Sequence, residues 1–360
     1  MKKTLILTLG FALICGIVLV DQSCLTGADK DNKGLWKDPN DSSLPIDFGI
    51  QGEYVGKTKN GQALGAQVIA LGQDQFQTVL YPGGLPGAGW DGKNKMLMDG
   101  KLAGAKAVFK PAEGKKSYLA KSPAQFSATA KFPPVGQKPC IAEISKGTMI
   151  GNIDNTAAFE LKKIVRKSKT LGMKPPKGAI VLFDGTSKDH WTGGRVDAET
   201  KLLNTDGKDI LTKKKFNDYV MHVEFMIPFK PGARGQGRGN SGFYQVDHYE
   251  VQILDSFGLE GKDNECGGVY KKKSCDVNAC FPPLTWQTYD VEFKNARVGN
   301  VKTIPATMTV KLNGIVIHDN VQIKGKTGGS RRGAIGTPGP IKLQGHGNPL
   351  QFRNVWILEK

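Results

Sequence analysis

Histidine is scarce in this 360-residue chain, with only 5 residues, and none of them stands at a paired, metal-binding spacing. Cysteine is nearly as sparse at 6 residues, and Cys15 and Cys24 belong to the first 28. Of the other four, Cys140, Cys266, Cys275 and Cys280, the last three lack a CxxC spacing and a nearby histidine, which argues against a zinc site. Helical periodicity is also missing, since no apolar pattern of period 3.6 lasts beyond three turns after residue 28. That excludes helical bundles and doubly wound α/β folds. Acidic residues are the minority charge, 33 Asp+Glu against 50 Lys+Arg, for a net charge of +17. Such a balance favours polyanions. Yet the lysines are dispersed among glycines, and no zinc finger, helix-turn-helix or aromatic RNA-binding signature is present, so no nucleic-acid partner is expected.

One long apolar run exists, Leu5 to Val20. It follows Lys2 and Lys3 and leads to Thr26-Gly27-Ala28, the layout of a secretory signal over residues 1–28. The chain is therefore expected to be exported, to the periplasm or the extracellular space, with no membrane span left after cleavage. The run approaches the length of about 18 apolar residues at which a spanning helix forms, so an uncleaved anchor is the alternative. In an oxidising compartment the cysteines read as disulfides. Cys266 in "ECGGVY" and Cys280 in "CFPP" both sit where glycine or proline turns the chain, and a bridge between them is expected. Closing that loop of about fifteen residues would stabilise by ~3 kcal/mol.

What is abundant is short β-type runs between glycine and proline turns. "GAQVIAL", "FQTVLYPGG", "KAVFK" and "AAFELKKIV" precede "KTLGMKPPKG", where Pro175-Pro176 suits neither helix nor strand. "AIVLFDG", "YVMHVEFMIPF", "GFYQVDHYEVQIL", "TWQTYDVEF" and "LQFRNVWIL" follow it. Many strands of this kind mean an all-β sandwich or barrel. Asn313-Gly314 between apolar runs marks a hairpin. The expected organisation is a small antiparallel β domain over 29–168, a Pro/Lys-rich linker over 169–178 and a β-sandwich over 179–360. In the first domain the rigid loop "YPGGLPGAGWDG" offers Trp90, either packed in a turn or presented to stack on a sugar.

"GRGNSG" at 237–242 matches the dinucleotide fingerprint formally. That fingerprint needs a strand before it and a helix after it. Here a β-type run follows, and the match is accidental. The second half carries a more specific set, in order: "VLFDGTSKDHW", "GNSGFY", "YEVQILDS", "ECGGVY", "WQTYDVEF", "KLNG" and "LQGHGNPLQFRNVWILE". Together these motifs resemble the 3-keto-disaccharide hydrolase domain family over residues 179–360. The resemblance implies a concanavalin A-like antiparallel sandwich, or jelly roll, with a glycan site on its concave sheet. Related sandwich glycosidases carry a bulged strand, Glu-x-Asp-x-x-Glu, with all three polar side chains on that sheet.

"EVQILD" has the same spacing as Glu250-x-Gln252-x-x-Asp255. Strict alternation puts Glu250 and Gln252 on one face and Asp255 on the other. A bulge after Ile253 would bring all three together, and bulges gather next to active sites. The alternative is that the strand ends and Asp255 caps the following turn. Gln252 cannot replace a central aspartate, which sets a standard retaining mechanism aside.

A 3-keto glycoside needs different chemistry. The ketone acidifies the C2 proton, a base removes it, the C1 oxygen leaves by elimination, and water adds back. Glu250 or His346, in the glycine turn "GHGNP", is the expected base. Asp255 is the expected acid, with Arg353 or a divalent metal stabilising the enolate oxygen. Asn240, Gln252 and Tyr270 would orient hydroxyls. The expected function is cleavage of 3-keto glycosides by an exported enzyme. A non-catalytic glycan-binding module and a glycosidase of acidic polysaccharide are the rival readings.

Overall fold

In the computed structural model, residues 34–360 are described. The expected leader, with Cys15 and Cys24, lies outside the described residues. Eight antiparallel strands between Gly52 and Ile164 close into a barrel. Glycines let its wall close tightly. A Cβ at Gly100 would lie 2.3 Å from the Phe109 ring that covers it. Alternate residues, among them Tyr54, Val68, Phe76, Met98 and Leu161, fill the interior. Closure leaves no free strand edge, which is how a small β domain avoids edge pairing. Trp90 packs edge-on against Tyr81 at 5.2 Å and donates to the Asn94 carbonyl at 2.8 Å. It is a packed turn residue.

The second half forms two facing antiparallel sheets. An eight-stranded sheet contains Tyr219–Met226, Trp286–Lys294, Ala306–Leu312, Ile315–Ile323 and Gln351–Glu359. A five-stranded sheet runs in the order Trp191–Thr192, Ile210–Thr212, Lys342–Leu343, Ser241–Gln245, Tyr249–Ile253. Between them lies one core built around Tyr219, Phe225, Phe243, Val251, Tyr289 and Phe352. The all-β reading and the two-sheet sandwich preceded by a small β domain thus hold. The Asn313-Gly314 hairpin holds too, both residues having positive φ and joining Leu312 to Ile315.

Two features differ from expectation. The run "GFYQVDHYEVQIL" is a hairpin, because Val246 and Asp247 take φ values of 47° and 50° and reverse the chain without a glycine. A β-branched residue in that region costs about 1–3 kcal/mol. The turn is held from outside, since Arg331 donates from Nε to the Val246 carbonyl at 3.2 Å and from its backbone to Asp247 at 3.0 Å.

The segment expected as a linker is also bonded down. The Thr170 hydroxyl donates to Asp290 at 2.7 Å, the Gly172 N–H donates to Glu224 at 2.5 Å, and the Met173 carbonyl accepts from Trp356. Only the stretch 174–178 is fully exposed. Barrel and sandwich also share an apolar seam, where Ile69, Leu71, Phe126, Phe257 and Leu259 form one cluster. Gly258, at φ +75°, permits this contact, because a Cβ there would come within 2.6 Å of Ile69.

Candidate active site

The site lies on the face of the five-stranded sheet turned away from the core. Antiparallel register sets Tyr244 opposite Glu250 and Gly242 opposite Gln252, and Lys342 pairs with Tyr244 on the next strand. Their neighbours Phe243, Val251 and Leu343 point the other way, into the core. Alternation therefore delivers Glu250, Gln252, Tyr244 and Lys342 to one surface. Gly242 completes the arrangement by having no side chain, since a Cβ would sit 2.4 Å from Glu250 Oε1.

Glu250 is 3 % exposed. The Tyr244 hydroxyl lies 2.8 Å from its Oε2. With its amide turned to satisfy its neighbours, Gln252 donates to Glu250 Oε1 at 2.8 Å and to the Ser241 carbonyl at 3.0 Å. Burial lifts the Glu250 carboxyl to about 7, against the pull of Tyr244 and Lys342, and Asp209 adds to the rise. The partners of the carboxylate are neutral. The nearby cation, Lys342, has its Nζ 2.7 Å from Asp247 and 3.9 Å over the centre of the Tyr244 ring. Burial, followed by the charge of Glu250, pushes the Tyr244 phenol well up, so it stays protonated.

Loops close over this face. The Thr327 hydroxyl accepts from the Glu250 N–H at 2.9 Å, the Gly328 carbonyl lies 2.8 Å from the Tyr244 hydroxyl, and the Gly329 carbonyl accepts from Lys342 at 2.6 Å. On the other side, Gly267–Tyr270 pairs with the edge of the Glu250 strand, and the Tyr270 N–H donates to the Glu250 carbonyl at 3.1 Å. Asn240 and Gln236 flank the other side of Gln252, whose oxygen in this orientation accepts from the Gln236 side chain at 2.9 Å, with Asn240 3.3 Å away. Asn240, Gln252, Glu250 and Tyr270 are thus brought into one neighbourhood.

Three expected site residues are not. The strand ends at Ile253 with no register shift, so no bulge forms. Asp255 lies beyond it in a buried ion pair, its Oδ2 2.5 Å from Arg238 Nε. Its carboxylate is occupied by that guanidinium. Arg353 belongs to the other sheet, where it pairs with Glu224 at 2.7 Å and stacks 4.0 Å over Trp286. It faces away from its core neighbour Phe352, as alternation requires, but on the opposite surface from Glu250. His346 is exposed in its glycine loop, and its recorded hydrogen bond is through the backbone carbonyl, to Asn348.

Cys266 and Cys280 are free thiols here, both buried, so the expected bridge is not formed. The two thiols neighbour one another, and each has a further partner, the Tyr289 hydroxyl for Cys266 and the Phe281 carbonyl for Cys280. Among the described residues, no three His, Cys, Asp or Glu side chains are grouped to hold a metal ion.

The outer sheet has its own polar cluster. His222 Nδ1 lies 2.6 Å from Asp290 and Nε2 lies 3.5 Å from Glu224. Burial works against the imidazolium, but both carboxylates outweigh it and raise the pKa of His222. Burial would also raise Glu224, yet hydrogen bonds from His222, Asn354, Arg353 and the Gly172 N–H hold it at about 2. Every charge in this cluster is matched, and the connector covers it.

Sequence reasoning missed Tyr244 and Lys342. Their signal is the same alternation that marked Glu250, a lysine between Ile341 and Leu343 and a tyrosine beside Phe243. Without the register that sets Tyr244 opposite Glu250, it had no target.

Three solved structures from Parabacteroides distasonis, each described as a candidate glycosyl hydrolase, resemble the chain. The first shares 32 % identity over 51 % of this chain and 85 % of its own, with a TM-score of 0.47. The second shares 21 % over 51 % and 94 %, with a TM-score of 0.38. The third shares 18 % over 51 % and 99 %, with a TM-score of 0.36. No curated protein matches. The family described as the 3-keto-α-glucoside-1,2-lyase-like domain matches residues 178–358, half of the chain. With that match added to the two-sheet sandwich, the chain belongs to this carbohydrate-active family.

Proposed function

We propose that this protein cleaves the glycosidic bond of 3-keto glycosides, with Glu250 as the base. The observation that carries the reading is a buried carboxyl lifted to about 7 between neutral hydrogen-bond donors. A base poised near the operating pH combines availability with driving force. Glu250 takes the C2 proton, and the electron pair moves toward the C3 ketone as an enolate. The Lys342 ammonium offsets that negative charge. The enolate then re-forms the ketone, a C1–C2 double bond appears, and the C1 oxygen leaves. The proton held by Glu250 returns to the leaving oxygen through the Tyr244 hydroxyl. Water addition across the new double bond gives net hydrolysis. Asn240 and Gln252 are suited to hold sugar hydroxyls.

A glycosidase acting on unoxidised sugar needs two free carboxyl groups about 5–9 Å apart. Asp255 and Asp247 are tied to Arg238 and Lys342, which counts against that reading. The basic, apolar and small-residue order of residues 1–28 supports export. The test is turnover of a 3-keto glucoside beside its unoxidised parent. Turnover of the keto form alone supports the proposal; release from the parent at an equal rate sinks it, and binding of both without turnover favours a binding module.

A further inference from the structure

We propose that the barrel holds the Glu250 strand in its working position, and that Arg238 is the positioning residue through which it does so. This rests on the reading of Glu250 as the base. Arg238 is 5 % exposed and lies where the two bodies meet. Its Nη1 donates to the barrel carbonyl of Ala70 at 3.0 Å and to Pro231 at 3.3 Å, and Nη2 lies 3.5 Å from Gln51 Oε1. Nε pairs with Asp255, and its backbone carbonyl accepts from the Asp255 N–H at 3.1 Å. A guanidinium this deep is tolerated only because each edge is paired.

The consequence reaches the site within two residues either way along the chain. Gln236 and Asn240 flank Arg238, and both side chains pack on the amide end of Gln252; with the Gln252 N–H turned to Glu250, its oxygen accepts from the Gln236 side chain at 2.9 Å. Fixing Arg238 against the barrel therefore fixes the two residues that orient Gln252.

A second contact, from Tyr118 in the short strand pair carried between two barrel strands, supports the opposite edge of the same strand. The hydroxyl of Tyr118 bonds Glu265, whose other oxygen accepts from the Gly261 and Lys262 N–H groups at 2.7 and 3.0 Å. The Glu265 carbonyl accepts from Gly268 at 2.8 Å, and Gly268 in turn accepts from the Gln252 N–H at 2.9 Å. The barrel and the strand pair attached to it thus reach the Glu250 strand from two directions. A domain that only tethered the enzyme would need neither contact.

Arg238→Met in the full-length protein removes the charge and keeps much of the volume. The expected result is a kcat lower by about 10–100-fold with KM within about twofold, because small misplacement of a reacting group costs rate rather than binding. Tyr118→Phe, which deletes one hydroxyl, should lower kcat by a few-fold and decides the matter if Arg238→Met fails to fold.

A readout independent of turnover is the carbon-13 titration of the Glu250 carboxyl, assigned by its loss in Glu250→Gln. The charged and titratable groups facing Glu250 are Lys342, Asp209 and Tyr244; Tyr118→Phe leaves these and every formal charge in place, so a moved midpoint in that variant reports geometry. Unchanged kcat and unchanged midpoint in both variants overturn the proposal. If the wild-type protein turns over no keto glycoside, the functional reading fails and the titration still decides the positioning role.

Discussion

Two buried glutamates, one in each body of the molecule, separate scaffold from site. Glu53 in the barrel is 1 % exposed and meets Arg166 Nε at 2.6 Å, with Gln67 donating at 2.9 Å. Glu250 in the sandwich is almost as buried, but its hydrogen-bond partners are a phenol and an amide. In the barrel, the cation that makes burial tolerable belongs to the carboxylate. In the sandwich, the nearest cation is committed to Asp247. The first arrangement fixes a charge; the second leaves a proton free to move. The matched cluster of His222, Glu224 and Asp290 on the outer sheet follows the barrel's logic, although it lies in the sandwich.

The largest expected effect tests that contrast on the site side. Glu250→Gln should lower turnover by about 10²–10⁴-fold on a keto glycoside, with circular dichroism unchanged. Near-normal turnover would remove Glu250 from the mechanism. Its counterpart, Glu53→Gln, should leave turnover of the folded protein intact. It should cost about 3–5 kcal/mol in denaturant unfolding, because Arg166 is left buried without its carboxylate. If the two variants showed the same phenotype, the distinction between scaffold and site would fail.

A pH series sharpens it further. The folded-state pKa of Glu250 lies above its ordinary 4.5, at about 7. The folded chain therefore holds the proton more tightly than the unfolded chain. The stability this contributes is full below about pH 4.5 and lost as pH rises through about 7. Glu250→Gln has no such proton, so it should match the wild type near pH 4 and exceed it by about 3 kcal/mol near pH 8. Unfolding midpoints at the two pH values check the sign; a constant difference would mean that burial does not perturb this carboxyl.

Much of this was legible in the sequence, and the boundary is physical. Strand runs, the Asn313-Gly314 hairpin and the face shared by Glu250 and Gln252 follow from period-two alternation, which is local. The fate of Asp255 does not, because its partner Arg238 lies 17 residues upstream and a bulge and a strand end read alike in "EVQILDS". Arg353 alternated correctly, yet alternation gives a face and never says which of two sheets owns the strand. Lys342 was hidden for the converse reason, since its role appears only when its strand docks beside Tyr244.

A smaller effect concerns the connector. Protease should cut in the exposed stretch 174–178, and the nicked halves should still migrate together in gel filtration, held by the seam around Ile69 and Phe257. Separation after the cut would make the barrel an independent module. Smallest of all, Thr170→Val removes one hydroxyl that bridges Thr288 and Asp290. It should cost about 1 kcal/mol in unfolding and quicken that cleavage, without altering turnover.

The loops over the site carry a kinetic consequence. Lys342 spends a donor on the carbonyl of Gly329, the carbonyl of Gly328 lies 2.8 Å from the Tyr244 hydroxyl, and Glu250 is closed to solvent beneath them. A sugar reaching Glu250 competes with the protein's own backbone for the same groups, so its apparent affinity is multiplied by the fraction of time the loop stands open. Rate at low substrate then depends on loop opening as well as on proton transfer. That cover is glycine-rich, with Gly325 and Gly329 at positive φ.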